Sequence, residues 1–405
     1  MHWSASPDTP AGFTLDERDR RWRRLRELMA AQHVDLLLVF PQWMVEDALY
    51  VANIAGVVIF PLAGEPTLIV GGEDSNLIVQ RDGWIQDRRS ATSGGSTRTP
   101  YGDAVANRLR ERSPGRQRVA IAGLLGGKYS AVRQPEGYLN YTTIEKVREA
   151  LPEATILDGT PILGEARYLK SEEEIDMLRQ AVRVAEASAV AMVEHTRPGV
   201  AQAEVYGQML LAQMRQLAQE PMLAWCPGGW GEPKHRYTTP PPGLILSNMH
   251  VSCEIGPSVR GYSCQIAEPL FVGPVPQQAR EIFELNQAIF QRSCELLRPG
   301  TTWHEVEEGA RAVARGTNYK VEFLMHGRGL GNDGPLLIPT DTHDRTKDDV
   351  VHANTTFILK PHAFPGELSR DVARSHDVTW GDTVVVRKGG AERLGTRSLA
   401  LPVVG

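Results

Sequence analysis

Residues 251–273 constrain the fold most strongly, because they contain two apolar, strand-sized runs that must lie inside the protein. A Gly-Pro-Ser turn at 256–258 separates the runs, so the pattern predicts an antiparallel pair of strands. Two polar side chains, Glu254 and Gln265, interrupt the apolar positions. Since a buried carboxylate is costly unless it is paired, the sequence predicts a partner for Glu254.

The N-terminal part of the chain alternates between strand-like and helix-like segments. Thr14 and Glu17 have the spacing of a capping box before an Arg-rich amphipathic helix. Apolar segments such as 36–40 and 118–123 predict buried strands, and 142–151 predicts a helix. Alternating strands and helices indicate an α/β domain.

Longer helices follow this α/β region. Ser171 and Glu174 form a second capping-box pattern. Apolar residues then recur at steps of three and four from 175 to 192, so one face of this helix is expected to pack on a core. We therefore predict two domains, at 1–165 and 166–405.

Composition excludes several classes of function. The chain has 405 residues, of which 41% are apolar and 23% charged, and its formal net charge is −5. No basic stripe or polybasic segment indicates a nucleic-acid or membrane partner. The polar N-terminus predicts no signal peptide, and four cysteines without a CxxC pair favour a reduced, cytoplasmic protein.

An ordered set of motifs resembles the creatinase/aminopeptidase P/prolidase family over nearly the whole chain. The resemblance implies a creatinase-type N-terminal α/β domain followed by a catalytic domain of the pita-bread fold, and it implies a homodimer. A Trp- and Pro-rich segment at 40–47 is the expected contact edge. The motifs are RYLKSEEEIDMLRQA, GYSCQIAEPLFVGPVPQQARE, LLRPGTTWHEVE, HGRGLGNDGP, FILKPH and DTVVVRKGGAERL.

The resemblance also implies where metal ligands would lie. Peptidases of this family bind two divalent metal ions through two Asp, one His and two Glu. The corresponding positions here are Glu254, Gln265, Arg328, Lys360 and Gly381. Only one carboxylate remains, and an arginine cannot release its proton to bind a metal ion. Because a two-metal site needs several deprotonated ligands, we predict a protein without a metal or other cofactor.

The same substitutions predict the kind of ligand. Arg328 and Lys360 are cations, and a guanidinium suits a carboxylate, so we expect them to bind an anionic or zwitterionic small molecule. Gln265 keeps an acceptor without a charge. Alternatively, Glu254 only neutralises Arg328 or Lys360 in a structural cluster. Glu268 is expected to point away from Gln265, because the two are an odd number of strand positions apart.

His235 is the predicted general acid/base. In the family a histidine about 20 residues before the first ligand strand faces the substrate, and an imidazole with its ordinary pKa of about 6.5 can move protons at pH 7. His326 and His362 also lie near ligand positions, where they are expected to contact substrate and could replace His235. His235 could instead be a surface residue.

Within this family, creatinase has the same fold without metal and hydrolyses a C–N bond with such a histidine. Ectoine hydrolase acts on a cyclic amidine carboxylate, for which a glutamate is the natural nucleophile or base, and Glu254 is the candidate here. The sequence therefore predicts a metal-independent C–N hydrolase acting on a small, nitrogen-rich carboxylate. A lyase or other non-hydrolytic enzyme, and a binding module, remain open alternatives.

The loss of ligands at four of the five family positions predicts the metal content of the purified protein. We expect no stoichiometric Mn, Zn, Fe or Co, because Arg328 and Lys360 repel a divalent ion. Elemental analysis after brief chelation tests this. Finding about one or two firmly bound metal ions per chain, as a two-metal site requires, would contradict the prediction.

Overall fold

The computed structural model divides the chain into two compact units, one up to Tyr168 with a short piece that begins at Leu330, and one that begins at Leu169. The sequence placed the boundary at 165/166. The structure describes residues 12–41, 47–71, 82–91, 101–112, 115–126, 129, 136–219, 221–330, 336–337 and 349–405. Most of the predicted contact edge at 40–47 lies outside these residues, so the homodimer stays a prediction.

The N-terminal unit is a mixed sheet with helices on it, as the alternating pattern predicted. The strands lie in the order β4-β3-β2-β1-β5-β6, and β1 pairs antiparallel with β2 and parallel with β5. The elements are α1 (Leu15–Ala31), β1 (Leu36–Val39), α2 (Asp47–Ala52), β2 (Val57–Pro61), β3 (Thr67–Val70), β4 (Asp87–Ser90), α3 (Tyr101–Arg112), β5 (Arg118–Ile121), α4 (Tyr141–Ala150), β6 (Thr155–Asp158) and α5 (Thr160–Tyr168).

Helices α3 and α4 pack on one face of this sheet through apolar side chains. Val105 and Leu109 of α3 and Val147 of α4 are buried against alternate residues of the central strands, such as Leu38 and Ile121. This alternation is what the short apolar segments predicted. Strands β1, β2 and β3 are buried along their whole length, as expected inside a sheet that carries parallel pairs, whereas the edge strands β4 and β6 are partly exposed.

In the first helix, Thr14 caps the N-terminus as predicted, and Glu17 also binds arginines of the same helix. Thr14 is its N-cap, since its hydroxyl oxygen accepts a hydrogen bond from the Glu17 amide at 3.2 Å. The carboxylate of Glu17 accepts hydrogen bonds from Arg20 and from the buried Arg21. Glu17 is therefore paired with two arginines of the same helix.

The chain from Leu169 onward consists of helices and several short sheets. The helices are α6 (Glu172–His195), α7 (Gln202–Arg215), α8 (Gln277–Leu296), α9 (Trp303–Ala312) and α10 (Arg370–Ala373). The strands are β7 (Leu223–Gly228), β8 (His250–Ile255), β9 (Ser258–Val259), β10 (Tyr262–Ser263), β11 (Ile266–Val272), β12 (Tyr319–Glu322), β13 (Met325–Gly327), β14 (Gly329–Leu330), β15 (Leu336–Leu337), β16 (Thr356–Leu359), β17 (His362–Pro365), β18 (Asp382–Arg387), β19 (Gly390–Arg393) and β20 (Val403–Val404).

Helix α6 confirms the second capping box and the predicted buried face. The Ser171 hydroxyl accepts from the Glu174 amide at 3.1 Å, and the Glu174 carboxylate accepts from the Ser171 amide at 2.8 Å. The apolar positions of the predicted stripe are all buried, namely Ile175, Leu178, Val182, Ala185, Ala189 and Met192. Both the capping box at its N-terminus and the packing of its apolar face therefore stabilise the helix.

Two sheets of this unit supply the strands at the family's ligand positions. One has the order β20-β11-β8-β7, and the other the order β15-β13-β16-β18-β19. Reciprocal backbone hydrogen bonds between Ala267 and Gly381, of 3.0 and 3.1 Å, join β11 to the residue before β18. Among the described helices, none is long and apolar enough to cross a membrane.

The strand pair predicted at 251–273 forms, but its turn lies elsewhere. Strands β8 and β11 are antiparallel, with Glu254 opposite Ala267. The prediction of a turn at 256–258 is wrong, because a second small hairpin of β9 and β10 extends the pair. Arg260 and Gly261 form the turn, with φ of 51° and 80°. Two consecutive positive φ values suit a tight two-residue hairpin turn, which glycine favours.

Candidate active site

A three-residue ion cluster surrounds the carboxylate of Glu254. Oε1 accepts a hydrogen bond from Lys360 Nζ at 2.5 Å, and Oε2 accepts one from Arg236 Nη2 at 2.7 Å. Glu254 lies near the end of β8, Lys360 directly follows β16, and Arg236 comes from the loop after β7. The carboxylate predicted to need a partner therefore has two.

The cluster fixes the charge of Glu254. Burial alone would raise the pKa of this carboxyl, but Lys360 and Arg236 outweigh burial and lower the pKa to about 2. Burial lowers the pKa of Lys360, although Glu254 opposes that change. Glu254 is consequently an anion at every ordinary pH, and a carboxylate with so low a pKa is a weak general base.

A second pair holds the other polar residue of the strand pair. The Arg328 guanidinium donates to the amide oxygen of Gln265. The backbone of Gln265 is bonded twice to the Thr383 hydroxyl, at 2.9 and 2.7 Å, and the backbone of Arg328 is bonded twice to Thr356, at 2.9 and 2.5 Å. Both side chains are buried and start from firmly anchored backbone positions.

Gly381 is closed to any side chain. A Cβ atom there would lie 2.5 Å from Cβ of Lys360 and 2.7 Å from the carbonyl oxygen of Leu359. The adjacent Asp382 is buried and pairs with Arg393, with 2.8 Å between Oδ2 and Nε. The last ligand position of the family therefore cannot supply a carboxylate in this backbone.

These residues do not fit a pair of divalent metal ions. Of the five positions, Glu254 alone is a carboxylate, and each of its oxygens accepts a hydrogen bond from a cation. Arg328 and Lys360 are cations at two of the expected ligand positions, and a fixed cation repels a divalent ion. In the described part of the chain, no group of three or more His, Cys, Asp or Glu residues could hold a metal ion.

The three candidate histidines lie in different surroundings. His235 is exposed, and its ring centroid lies 4.4 Å from that of Tyr237. His326 is buried, and burial together with Arg328 and Lys360 holds its pKa well below the ordinary value, so its ring is neutral at pH 7. The structure does not bring His235 into the ion cluster, and its role as acid/base stays a prediction.

His362 lies between two carboxylates. Its Nδ1 is 3.7 Å from Oε2 of Glu322, and its Nε2 is 3.9 Å from Oδ1 of Asp377. Burial would raise the pKa of Asp377, but His362 and Lys234 outweigh it and lower that pKa, so Asp377 is ionised. The position expected to bind substrate thus holds an imidazole between two acidic groups.

Arg236 is the residue that sequence reasoning missed. It follows His235 directly, and neighbours in an extended segment point to opposite sides. A backbone bridge between Trp225 and Tyr237 fixes which of the two faces Glu254. The sequence gives the order of these two residues but not the bridge that sets the direction of each side chain.

Glu268 has a structural partner. It forms an ion pair with Arg397, which also donates to the carbonyl oxygen of Gly381. The Arg397 guanidinium lies 4.1 Å from the ring centroid of Trp380, a cation–π contact. The presence of this buried carboxylate is therefore explained without a catalytic role.

The chain belongs to the metallopeptidase family M24, whose model matches residues 176–388. It is 25% identical over 267 residues to a creatinase from Bacillus sp. (strain B-0618), covering 62% of each chain. It is 24% identical over 267 residues to an agropine synthesis cyclase from Rhizobium rhizogenes, covering 62% of this chain and 65% of that protein. The matches thus span less than two thirds of either relative.

A solved structure confirms the fold over nearly the full length. The Xaa-Pro dipeptidase from Bacillus anthracis superposes with a TM-score of 0.73 at 18% identity, covering 96% of this chain and 100% of that one. The predicted architecture, an α/β domain followed by a pita-bread domain, is therefore confirmed. This likeness concerns the fold alone.

The closed position at Gly381 gives a test of why the ligand set was lost. Gly381→Glu should destabilise the protein by about 1–3 kcal/mol, the usual cost of overpacking, because its Cβ collides with Lys360 and Leu359. Gly389→Glu is the control, since a Cβ at 389 meets nothing within 4 Å. Urea unfolding measures both, and equal stability of the two variants would contradict the prediction.

Proposed function

We propose that this protein is a metal-independent hydrolase that cleaves a C–N bond in a small, nitrogen-rich carboxylate, such as an amidine, ureido or cyclic amide compound. The observation that carries the proposal is the ion cluster, in which Lys360 and Arg236 bind the one carboxylate left at the family's ligand positions. Fixed cations then take over the electrostatic role of metal ions.

The cations supply donors for an anionic group. Lys360 is almost fully buried, with 7% of its side chain exposed, and Arg328 is buried beside the amide of Gln265. Charged donors in such a site bind a substrate carboxylate or stabilise a developing oxyanion more strongly than they would in water. Gln265 orients the guanidinium of Arg328 without cancelling its charge.

Glu254 is assigned a role that a permanently ionised carboxylate can perform. With a pKa of about 2 it suits a nucleophile, or an anchor for a cationic amidine, better than a general base. Its side chain is 28% exposed, so a small molecule can reach it. Proton transfer then falls to another group, for which the sequence predicts His235, with His326 or His362 as its replacement.

The relatives support this class of reaction. Creatinase, a relative in sequence, belongs to a family of hydrolases. The residues at the ligand positions argue for the metal-free variant of that chemistry. The agropine synthesis cyclase favours, as a second candidate, a non-hydrolytic reaction on the same fold.

The proposal is tested by incubating the protein with a defined panel of compounds and analysing the products by mass spectrometry. The panel contains creatine, N-carbamoylglycine, ectoine and the dipeptide Ala-Pro, each with EDTA and with added Mn²⁺. We expect turnover of a nitrogen-rich carboxylate in EDTA, with products whose summed composition is that of the substrate plus one water. Cleavage of Ala-Pro only with Mn²⁺ would contradict the proposal, and an isomeric or dehydrated product would favour the second candidate.

The role of Glu254 is tested by a reciprocal pair of substitutions. Glu254→Gln should lower turnover of the identified compound by about 10²-fold or more, because it removes the anion but keeps the shape. Gln265→Glu should not create a metal requirement, because Arg328 and Lys360 still repel the ion. Near-full activity of Glu254→Gln would show that the carboxylate is only a counter-ion for Lys360 and Arg236.

A further inference from the structure

The amine of Lys234 is held in a fixed place two residues before Arg236. Its Nζ lies 2.7 Å from Nδ1 of His250 and 3.1 Å from the carbonyl oxygen of Asp377. The side chain lies across Gly228, since a Cβ there would come within 3.0 Å of Cγ of Lys234. The lysine is therefore folded back onto strands β7 and β8.

His250 is a neutral hydrogen-bond acceptor for this amine. Its ring is fully buried and stacks on Phe271, with 4.2 Å between centroids and 11° between planes. Burial, together with the charge of Lys234, holds the pKa of His250 well below the ordinary value. An imidazole that stays neutral can accept at Nδ1 throughout the physiological pH range.

The titratable groups around Lys234 come from three segments. Cys226 lies on β7, His250 on β8, and His376 and Asp377 follow α10. Burial lowers the pKa of Lys234 to about 8, although the charge of Asp377 opposes it. Burial raises the pKa of the Cys226 thiol to about 11, so this thiol stays protonated and does not compete for the proton.

Lys234 lies at the opposite end of the strand face that carries Glu254. Alternate residues of β8 share one face, so His250, Ser252 and Glu254 form a row about 13 Å long. The Ser252 hydroxyl in the middle donates to the carbonyl oxygen of Asp377 at 3.0 Å. That is the same oxygen that Lys234 binds. Lys234 and the carboxylate of Glu254 therefore lie beside the same face of β8.

We propose that Lys234 and His250 form a proton-transfer pair of this site, in which the amine exchanges protons with a substrate bound along β8. This inference rests on the proposed function. The neutral amine takes a proton from the attacking water as the C–O bond forms. The resulting ammonium, hydrogen-bonded to His250 and Asp377, returns that proton to the leaving nitrogen as the C–N bond breaks. No proton is gained or lost by the protein over the cycle.

A purely structural lysine would differ in a measurable way. A lysine that only ties the loop to β8 needs no neutral form and no access to small molecules. A proton-transfer lysine needs both. The amine should therefore react with a small acylating reagent at a pH where ordinary lysines, with a pKa of about 10.4, are still protonated.

The test is competitive labelling of the full-length protein with acetic anhydride from pH 6 to pH 11. Mass spectrometry compares the Lys234 peptide with a lysine reference peptide added to the same tube. We expect the midpoint for Lys234 about two pH units below that of the reference. A midpoint equal to the reference, or no labelling of Lys234 at any pH at which the protein is folded, would overturn the proposal.

Kinetics provides a second measurement with a matched control. On any panel compound that is turned over, Lys234→Met should lose about 10²-fold or more at pH 7, together with the pH dependence near 8. Lys388→Met, at an exposed position, should keep full activity. Full activity of Lys234→Met would also overturn the proposal that Lys234 and His250 transfer protons.

The labelling needs no substrate, so the two proposals fail separately. A lowered midpoint without turnover of any panel compound contradicts the proposed hydrolysis but still supports a reactive amine at Lys234. An ordinary midpoint with turnover contradicts only the role of Lys234.

Discussion

The pairing of Glu254 with Lys360 and Arg236 is the interaction on which the site depends. It joins residues from three segments, β8, the end of β16 and the loop after β7, around one carboxylate. A buried or half-buried charge is tolerated only with partners, so the three segments must keep their relative positions. The cluster also decides the chemistry, because it keeps the carboxylate ionised and the surroundings cationic.

The residues at the expected ligand positions compensate one another. Lys360 supplies positive charge beside Glu254, and Arg328 is bound by the neutral amide of Gln265. Gly381 leaves room for the backbone of β16 and the stem of Lys360. A side chain restored at Gly381 alone would therefore collide with Lys360 and Leu359.

Local signals in the sequence predicted individual elements well. The capping box of Ser171 and Glu174 and the buried stripe from Ile175 to Met192 both formed, because each depends on residues a few positions apart. The hairpin turn was misplaced because Gly256 and Pro257 give a turn signal of their own. The chain instead reverses at Arg260 and Gly261, where a second pairing extends the hairpin.

The order and identity of the side chains are enough to predict the family fold and to name the residues expected at the family's ligand positions. That Arg236, and not its neighbour His235, reaches Glu254 follows from the three-dimensional structure. It also decided that Lys234 meets His250. In an extended segment the side-chain alternation is local, but its direction is set by pairing with a distant strand, here through Trp225 and Tyr237.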